Sequence, residues 1–298
     1  MEIITGVSCH VEHLPGSTAP LSLICEMTVD SDKAFLRARV EHDIGELGRH
    51  LHIFELGGVD RVIRLYKLLH ALCEKGSQMG ITTIAIDANE IFTWMKESLK
   101  KAGFSRWPGS KPALLWRGTW MRCRQGIGYD VHPIVSERKL VLAGVEIESK
   151  FGLAGHSDAD VICHAVIDAI LGAAGLGDIG LHFPETDEFK GAKSVELLSK
   201  VVEKLAEGAV LVEYVDITLV MGGIHLTPLR RQMEENLQKV IGAPISIKFK
   251  SGNDVKGKEN AEAFAVAELA FLGDFSRSDD TRDSSWVCLL YTSPSPRD

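Results

Sequence analysis

Apolar and polar positions change period several times along the chain, and each change marks an element. Residues 20–30 and 34–41 read as two strands, with the turn signal Asp30-Ser31-Asp32 between them. A third apolar run, 51–56, ends at Gly57-Gly58. From Val59 to Lys75, the residues Val62, Leu65, Leu68, Leu69 and Leu72 recur at three- and four-residue steps, which predicts an amphipathic helix. A strand over 81–87 follows, then a helix over Asn89–Lys101 stopped by Ala102-Gly103-Phe104. A loop through Pro108, Gly109, Ser110 and Pro112 leads to a last strand in ALLWRGTW. His10, His13, His50 and His52 stand at no spacing that marks a site.

A boundary is expected near Gly118–Arg122, where a second pattern starts. Residues 123–132 predict a strand, and 139–143 with 145–147 flank Gly144 as a short hairpin or bulged strand. Gly152–Gly155 reads as loop. His156-Ser157-Asp158 opens a helix with Ser157 or Asp158 as N-cap, and Asp160, His164 and Asp168 are spaced along one stripe of it. A Gly/Pro-rich loop covers 175–187. Helices are then predicted over Lys193–Glu207, Pro228–Ile241 and Glu259–Leu272, with strands over 210–221 and 245–250. The expected organisation is a small accessory α/β domain over 1–120 and an α+β domain over 121–275, the latter a small β-sheet covered by helices in two layers. Residues 276–298 shift to Ser, Asp, Arg and Pro without an amphipathic period; they resemble translated vector sequence, and disorder is expected there.

Composition narrows the function classes. The chain has 298 residues, 45% hydrophobic and 25% charged, ordinary globular values. A net charge of −8 argues against nucleic acid or an anionic membrane as partner. The six cysteines are scattered without a CxxC pair, so neither a disulfide framework nor a cysteine zinc site is suggested, and a reducing compartment is the simplest reading. No apolar run approaches the length of a membrane span. The N-terminal stretch has the pattern of neither a signal nor a transit peptide, so a soluble, intracellular protein is expected.

Chemistry concentrates in GIGYDVHP and GLAGHSDADVICH. Asp130 and His132, two apart on an extended segment, point to one face. His164 follows on a helix, and Asp168 one turn later could orient it. Two ligands from a strand and one from a helix leave a fourth position open, as a catalytic zinc requires and a closed structural zinc does not.

The order and spacing of GYDVH, AGHSDADVICHAVIDAILGAAGLGDIG and FPETD resemble the 2-C-methyl-D-erythritol 2,4-cyclodiphosphate synthase family of non-mevalonate isoprenoid biosynthesis, over roughly Arg122 to Leu272. The resemblance implies a phosphorus–oxygen lyase acting on a cytidine diphosphate substrate, 4-diphosphocytidyl-2-C-methyl-D-erythritol 2-phosphate. The products would be the cyclic diphosphate and CMP. It implies a homotrimer with sites between subunits, and Zn2+ or a similar divalent ion on Asp130, His132 and His164. His156 and Ser251 would be catalytic. Asp130, Val131, His132, His156, Ser157, Asp178, Ile179, Gly180, Phe183, Pro184, Glu185, Thr186 and Asp187 would contact the substrate. The setting would be cytoplasmic, or a plastid if the source is a photosynthetic eukaryote.

The second half departs from the family pattern. Glu185 stands where Asp is usual, and Asn253 where a Glu binds a second ion, Mg2+ or Mn2+. Asp254 could substitute, so the protein ligand of that ion stays open. The segment Glu259-Asn260-Ala261-Glu262 lacks the family's Arg, and Met221–Thr227 carries His225 at the Lys position of the cytidine loop. The changes at Asn253 and Asn260 support one alternative, a non-catalytic zinc-binding descendant; a second alternative is a metal-dependent phosphohydrolase using zinc-bound hydroxide on the same site. The first part of the chain faintly resembles the later part of a GNAT-superfamily acetyltransferase in its element order and its KKAGF helix end, without that family's pyrophosphate-binding signature.

Overall fold

A seven-stranded and a five-stranded β-sheet organise the described residues. The computed structural model describes the chain apart from residues 1–3, 13–21, 30–31, 44–47, 82, 88–90, 107–112, 118–121, 185, 187–188, 190, 253–258 and 272–298. The expected boundary near Gly118–Arg122 and the tail after 275 therefore lie wholly or largely outside the described residues.

The first sheet is built from β1 (Ile4–Glu12), β2 (Ser22–Val29), β3 (Asp32–Asp43), β4 (Gly48–Gly57), β5 (Thr83–Asp87), β6 (Ser105–Arg106) and β7 (Ala113–Arg117). Its order is β1-β2-β3-β4-β5-β7-β6, antiparallel except for the parallel β4–β5 pair. The crossover between β4 and β5 is α1 (Val62–Gln78), and α2 (Thr93–Lys101) follows β5. Leu65, Leu68, Leu69 and Leu72 of α1 are buried, as their spacing requires. β1 and β6 were not foreseen; the half-buried Val7, Cys9 and Val11 of β1 alternate with exposed Ser8 and His10, a short period-two signal. Cys9 and Cys25 face each other in the β1–β2 register and are joined as a disulfide, a pairing that their separation of 16 residues does not announce.

The second sheet has the order β11-β8-β14-β12-β13, made of β8 (Arg122–Ser136), β11 (Phe151–Leu153), β12 (Val210–Val220), β13 (Ile245–Lys250) and β14 (Asn260–Phe271). Between β8 and β11, β9 (Leu140–Leu142) and β10 (Val145–Ile147) form the expected hairpin, turned at Ala143 and Gly144, which both have positive φ. Among the described residues the remaining α-helices are α3 (Val161–Ala174), α4 (Ile179–His182), α5 (Ser194–Glu207) and α6 (Arg230–Ile241), the last preceded by a 3-10 turn over Thr227–Leu229. α3 packs against β8 and β14 on one side and α5 on the other, which is why it is apolar nearly all round.

Three expectations are corrected. The segment expected as a closing helix over Glu259–Leu272 is strand β14, paired with both β8 and β12. Ala261, Ala263, Ala265 and Ala267 are its buried row, while Phe264 and Val266 face outward. Alanine and glutamate favour helix only as a weak prior, and pairing on both sides overrides it. Gly152 and Leu153, expected as loop, belong to β11. The N-cap of α3 is Asp160, not Ser157 or Asp158.

Candidate metal centre

β8 reaches the site with a strict alternation. Gly126, Gly128, Asp130 and His132 face α3, while Ile127, Tyr129 and Val131 are exposed on the other side. The two glycines let α3 lie directly on the strand. A Cβ at Gly128 would sit 1.9 Å from the Ala165 carbonyl oxygen, and one at Gly126 would sit 2.2 Å from that of Ala169. On the neighbouring strand, Asp130 and His132 are opposite Ala263 and Ala261. Small side chains on three elements thus bring His164, in the first turn of α3, over Asp130 and His132.

The three side chains converge. Asp130 Oδ2 is 2.9 Å from His132 Nε2 and 2.9 Å from His164 Nδ1. The two nitrogens are 3.0 Å apart. His132 Nδ1 donates to the Ala154 carbonyl at 2.6 Å, so its Nε2 presents a lone pair inward. His164 Nε2 lies 2.9 Å from Ser194 Oγ and 3.1 Å from Ser157 Oγ. Ser194 Oγ in turn donates to Asp158 Oδ1, so it accepts from His164 Nε2–H, and the Nδ1 lone pair also faces inward. With both rings neutral, two lone pairs and a carboxylate face one point, an arrangement satisfied either by a cation or, in its absence, by protons on the rings shared with Asp130. The donor set fits a divalent metal, with the partly exposed Asp130 leaving a side open for a further ligand.

The electrostatics agree. Burial alone would raise the Asp130 carboxyl, but hydrogen bonds from His132 and His164 and their charge outweigh it and hold it well below the usual carboxylate range. Burial likewise works to lower His132, yet the bond to Asp130 and its charge prevail and the net shift is upward.

Neighbouring acids do other work than expected. Asp168 accepts from Ile179 N at 2.7 Å and so anchors the start of α4; the orienting partner of His164 is Ser194. Asp160 is fully buried, caps α3 through Ile162 N and Cys163 N, and accepts from Ala143 N and Gly144 N of the hairpin turn. Ser194 was not singled out in the sequence; its signal is only a small polar residue at the start of a predicted helix.

The other expected site residues fall in two places. His156 Nε2 meets the Thr186 carbonyl at 2.7 Å, which brings the His156 loop against the Phe183–Thr186 segment. Ser157 is buried, with its hydroxyl on His164 and Ser194. Asp178 caps α4 by accepting from Leu181 N at 2.9 Å, with Ile179 and Gly180 in that helix and Phe183 just after it. Pro184 is exposed beside it, and Val131 lies on the outer face of β8. Glu185, Asp187, Asn253 and Asp254 lie outside the described residues. Ser251 follows β13, across β12 and β14 from β8. The registers Lys250↔Val220, Val220↔Glu262 and Glu262↔Val131 put it level with the triad but three strand spacings away, about 14 Å.

Residues 123–270 match the model of the YgbB family. A 2-C-methyl-D-erythritol 2,4-cyclodiphosphate synthase of Thermotoga maritima is 49% identical over 145 residues, covering 47% of this chain and 88% of that protein. One of Alkaliphilus metalliredigens is 49% identical over 154 residues, covering 50% of this chain and 97% of that protein. A solved synthase of the same name, bound to CDP, superimposes with a TM-score of 0.47 at 31% identity over 49% of this chain and 99% of that one. With 88% and 97% of those two relatives covered at 49% identity, and the family model matched over residues 123–270, the chain belongs to the YgbB family, the 2-C-methyl-D-erythritol 2,4-cyclodiphosphate synthases, phosphorus–oxygen lyases of isoprenoid biosynthesis.

Proposed function

We propose that Asp130, His132 and His164 hold Zn2+ or a similar divalent ion, and that residues 121–275 use this centre to close 4-diphosphocytidyl-2-C-methyl-D-erythritol 2-phosphate into its cyclic diphosphate. The observation that carries the proposal is the convergence of two imidazole lone pairs and a carboxylate at about hydrogen-bond spacing, with each outer nitrogen tied to its own acceptor. A 2-phosphate oxygen forms a bond to the β-phosphorus, the bond from that phosphorus to CMP breaks, and CMP leaves with the electron pair. No water is consumed and nothing is oxidised or reduced. Such a step needs positioning and charge neutralisation more than a protein nucleophile. The chemistry that a bound zinc supplies is Lewis acidity toward a phosphate oxygen.

The chain's own groups hold the reactants. His156 would donate to the reacting phosphates, and Ser157 would keep His164 aligned. Asp178–Gly180 and Phe183–Asp187 would line the substrate, and the hydroxyl of Ser251 would assist. A second ion, Mg2+ or Mn2+, would sit near Asn253 and Asp254. The level but distant position of Ser251 supports a site completed by a neighbouring subunit. The exposed outer row Ile127, Tyr129, Val131, Phe264 and Val266 supports a homotrimer built on that face. A cytoplasmic setting is part of the reading; among the described residues no helix is long and apolar enough to cross a membrane.

The test is turnover by the full chain with zinc and magnesium, beside a His164→Ala control. CMP and cyclic diphosphate in equal amounts, both lost in the control, are the expected outcome. Inorganic phosphate in place of the cyclic product would assign a phosphohydrolase, and tight zinc binding without CMP a non-catalytic role.

A further inference from the structure

A second set of metal-ligand side chains lies in the first sheet, far in sequence from the cyclase motifs. His50 and His52 of β4 share one face, with Leu51 between them buried on the side of α1. The β3–β4 register places Glu41 directly opposite His50 and Arg39 opposite His52, so all four side chains project from the same face. Read singly, these histidines have no partner in the sequence; the ligand that joins them comes from the adjacent strand.

We infer that Glu41, His50 and His52 form a separate binding site for a zinc-class divalent cation. Glu41 Oε2 is 3.2 Å from His52 Nδ1 and 3.7 Å from His50 Nε2, and all three ligand atoms lie within 4.8 Å of one another. A tetrahedral zinc with ligand bonds of about 2.0–2.1 Å separates its ligand atoms by roughly 3.3 Å, which these distances bracket. The carboxylate is divided between two tasks: Oε2 faces the imidazoles, while Oε1 is 3.4 Å from Arg39 Nε. That contact is an ion pair and not a hydrogen bond, and it offsets part of the carboxylate's charge on the side away from the imidazoles. His50 is only 4% exposed, whereas His52 and Glu41 are 31% and 35% exposed, so the cluster has a rigid inner ligand and an open outer side. Two imidazoles and one carboxylate favour zinc over magnesium or calcium, which take oxygen ligands. Nothing in this inference depends on the cyclase reaction.

The test counts zinc in the full-length chain, stripped with a chelator and then dialysed against buffered Zn2+. Two zinc ions per chain are expected in the unaltered protein, one in His52→Ala, one in His164→Ala and none in the double variant. His52 is partly exposed, so its removal spares the core, and Glu41→Gln, which keeps the side-chain shape, is expected to lose the same single ion. CMP release is expected to be unchanged in His52→Ala and Glu41→Gln. One zinc ion per chain in the unaltered protein that His164→Ala loses and His52→Ala keeps, or two retained in both His52→Ala and Glu41→Gln, overturns the inference; a single ion lost in His52→Ala and kept in His164→Ala upholds it and counts against the other centre.

Discussion

Ser194 illustrates how much of a metal centre lies outside its ligands. Its hydroxyl connects Asp158 to His164 and fixes which imidazole nitrogen is free to bind. Ser194→Ala is expected to weaken zinc binding by about 10–100-fold, measured by competition with a chromophoric chelator. Asp158→Asn should give a smaller loss, because the serine can still accept from the ring. The charges of the triad also imply a pH signature in the metal-free protein. A carboxylate held below its ordinary value of 3.8 adds stability above that value and loses it as pH falls through the folded pKa. An imidazole held above its ordinary 6.5 adds stability below that value and loses it as pH rises through the folded pKa. Both contributions coexist between pH 3.8 and 6.5. The melting temperature of metal-free wild type minus that of metal-free Asp130→Asn should be largest in this window and shrink on either side.

At the scale of elements, the approach of α3 to β8 is what assembles the ligands. Gly128→Ala would drive a methyl group into the Ala165 carbonyl, which cannot swing aside as a side chain could. We expect a loss of about 1–3 kcal/mol or more in urea unfolding, with weaker zinc binding as α3 is pushed off the strand. Asp130 and His132 were legible in the sequence because a two-residue spacing on a strand fixes a shared face by itself. His164 was legible as a ligand only through the motif around it. The pairing of Ser194 with His164, and of Glu41 with His50 and His52, was not legible, because each depends on how separate elements dock or register. β14 was misread for a different reason. Its inner row is alanine, which carries so little hydrophobic contrast that the period of two was hidden beneath a helix-favouring composition.

For the whole molecule, the proposed trimer makes assembly and turnover separable by experiment. Ile127, 74% exposed in the single chain, would be buried between subunits; Ile127→Asp is expected to give monomers in sedimentation and to abolish CMP release while the metal-free fold persists. If His156 and Ser251 act on the same substrate from different subunits, equal mixtures of His156→Ala and Ser251→Ala chains, unfolded and refolded together, should regain about a quarter of wild-type turnover. If both residues act within one subunit, the mixture stays inactive.

The alternation along β8 has a consequence for how this stretch can change. One face of the strand holds the metal ligands and the glycines that seat α3, and the other holds the exposed apolar row. Replacing a residue alters one of these faces. Inserting or deleting a single residue exchanges them, sending Asp130 and His132 to the apolar side and bulky side chains into the helix contact. A substitution in this segment therefore disturbs one face, whereas a change of length by an odd number of residues disturbs both, and one inserted alanine after Gly128 should cost more than any single substitution in the strand.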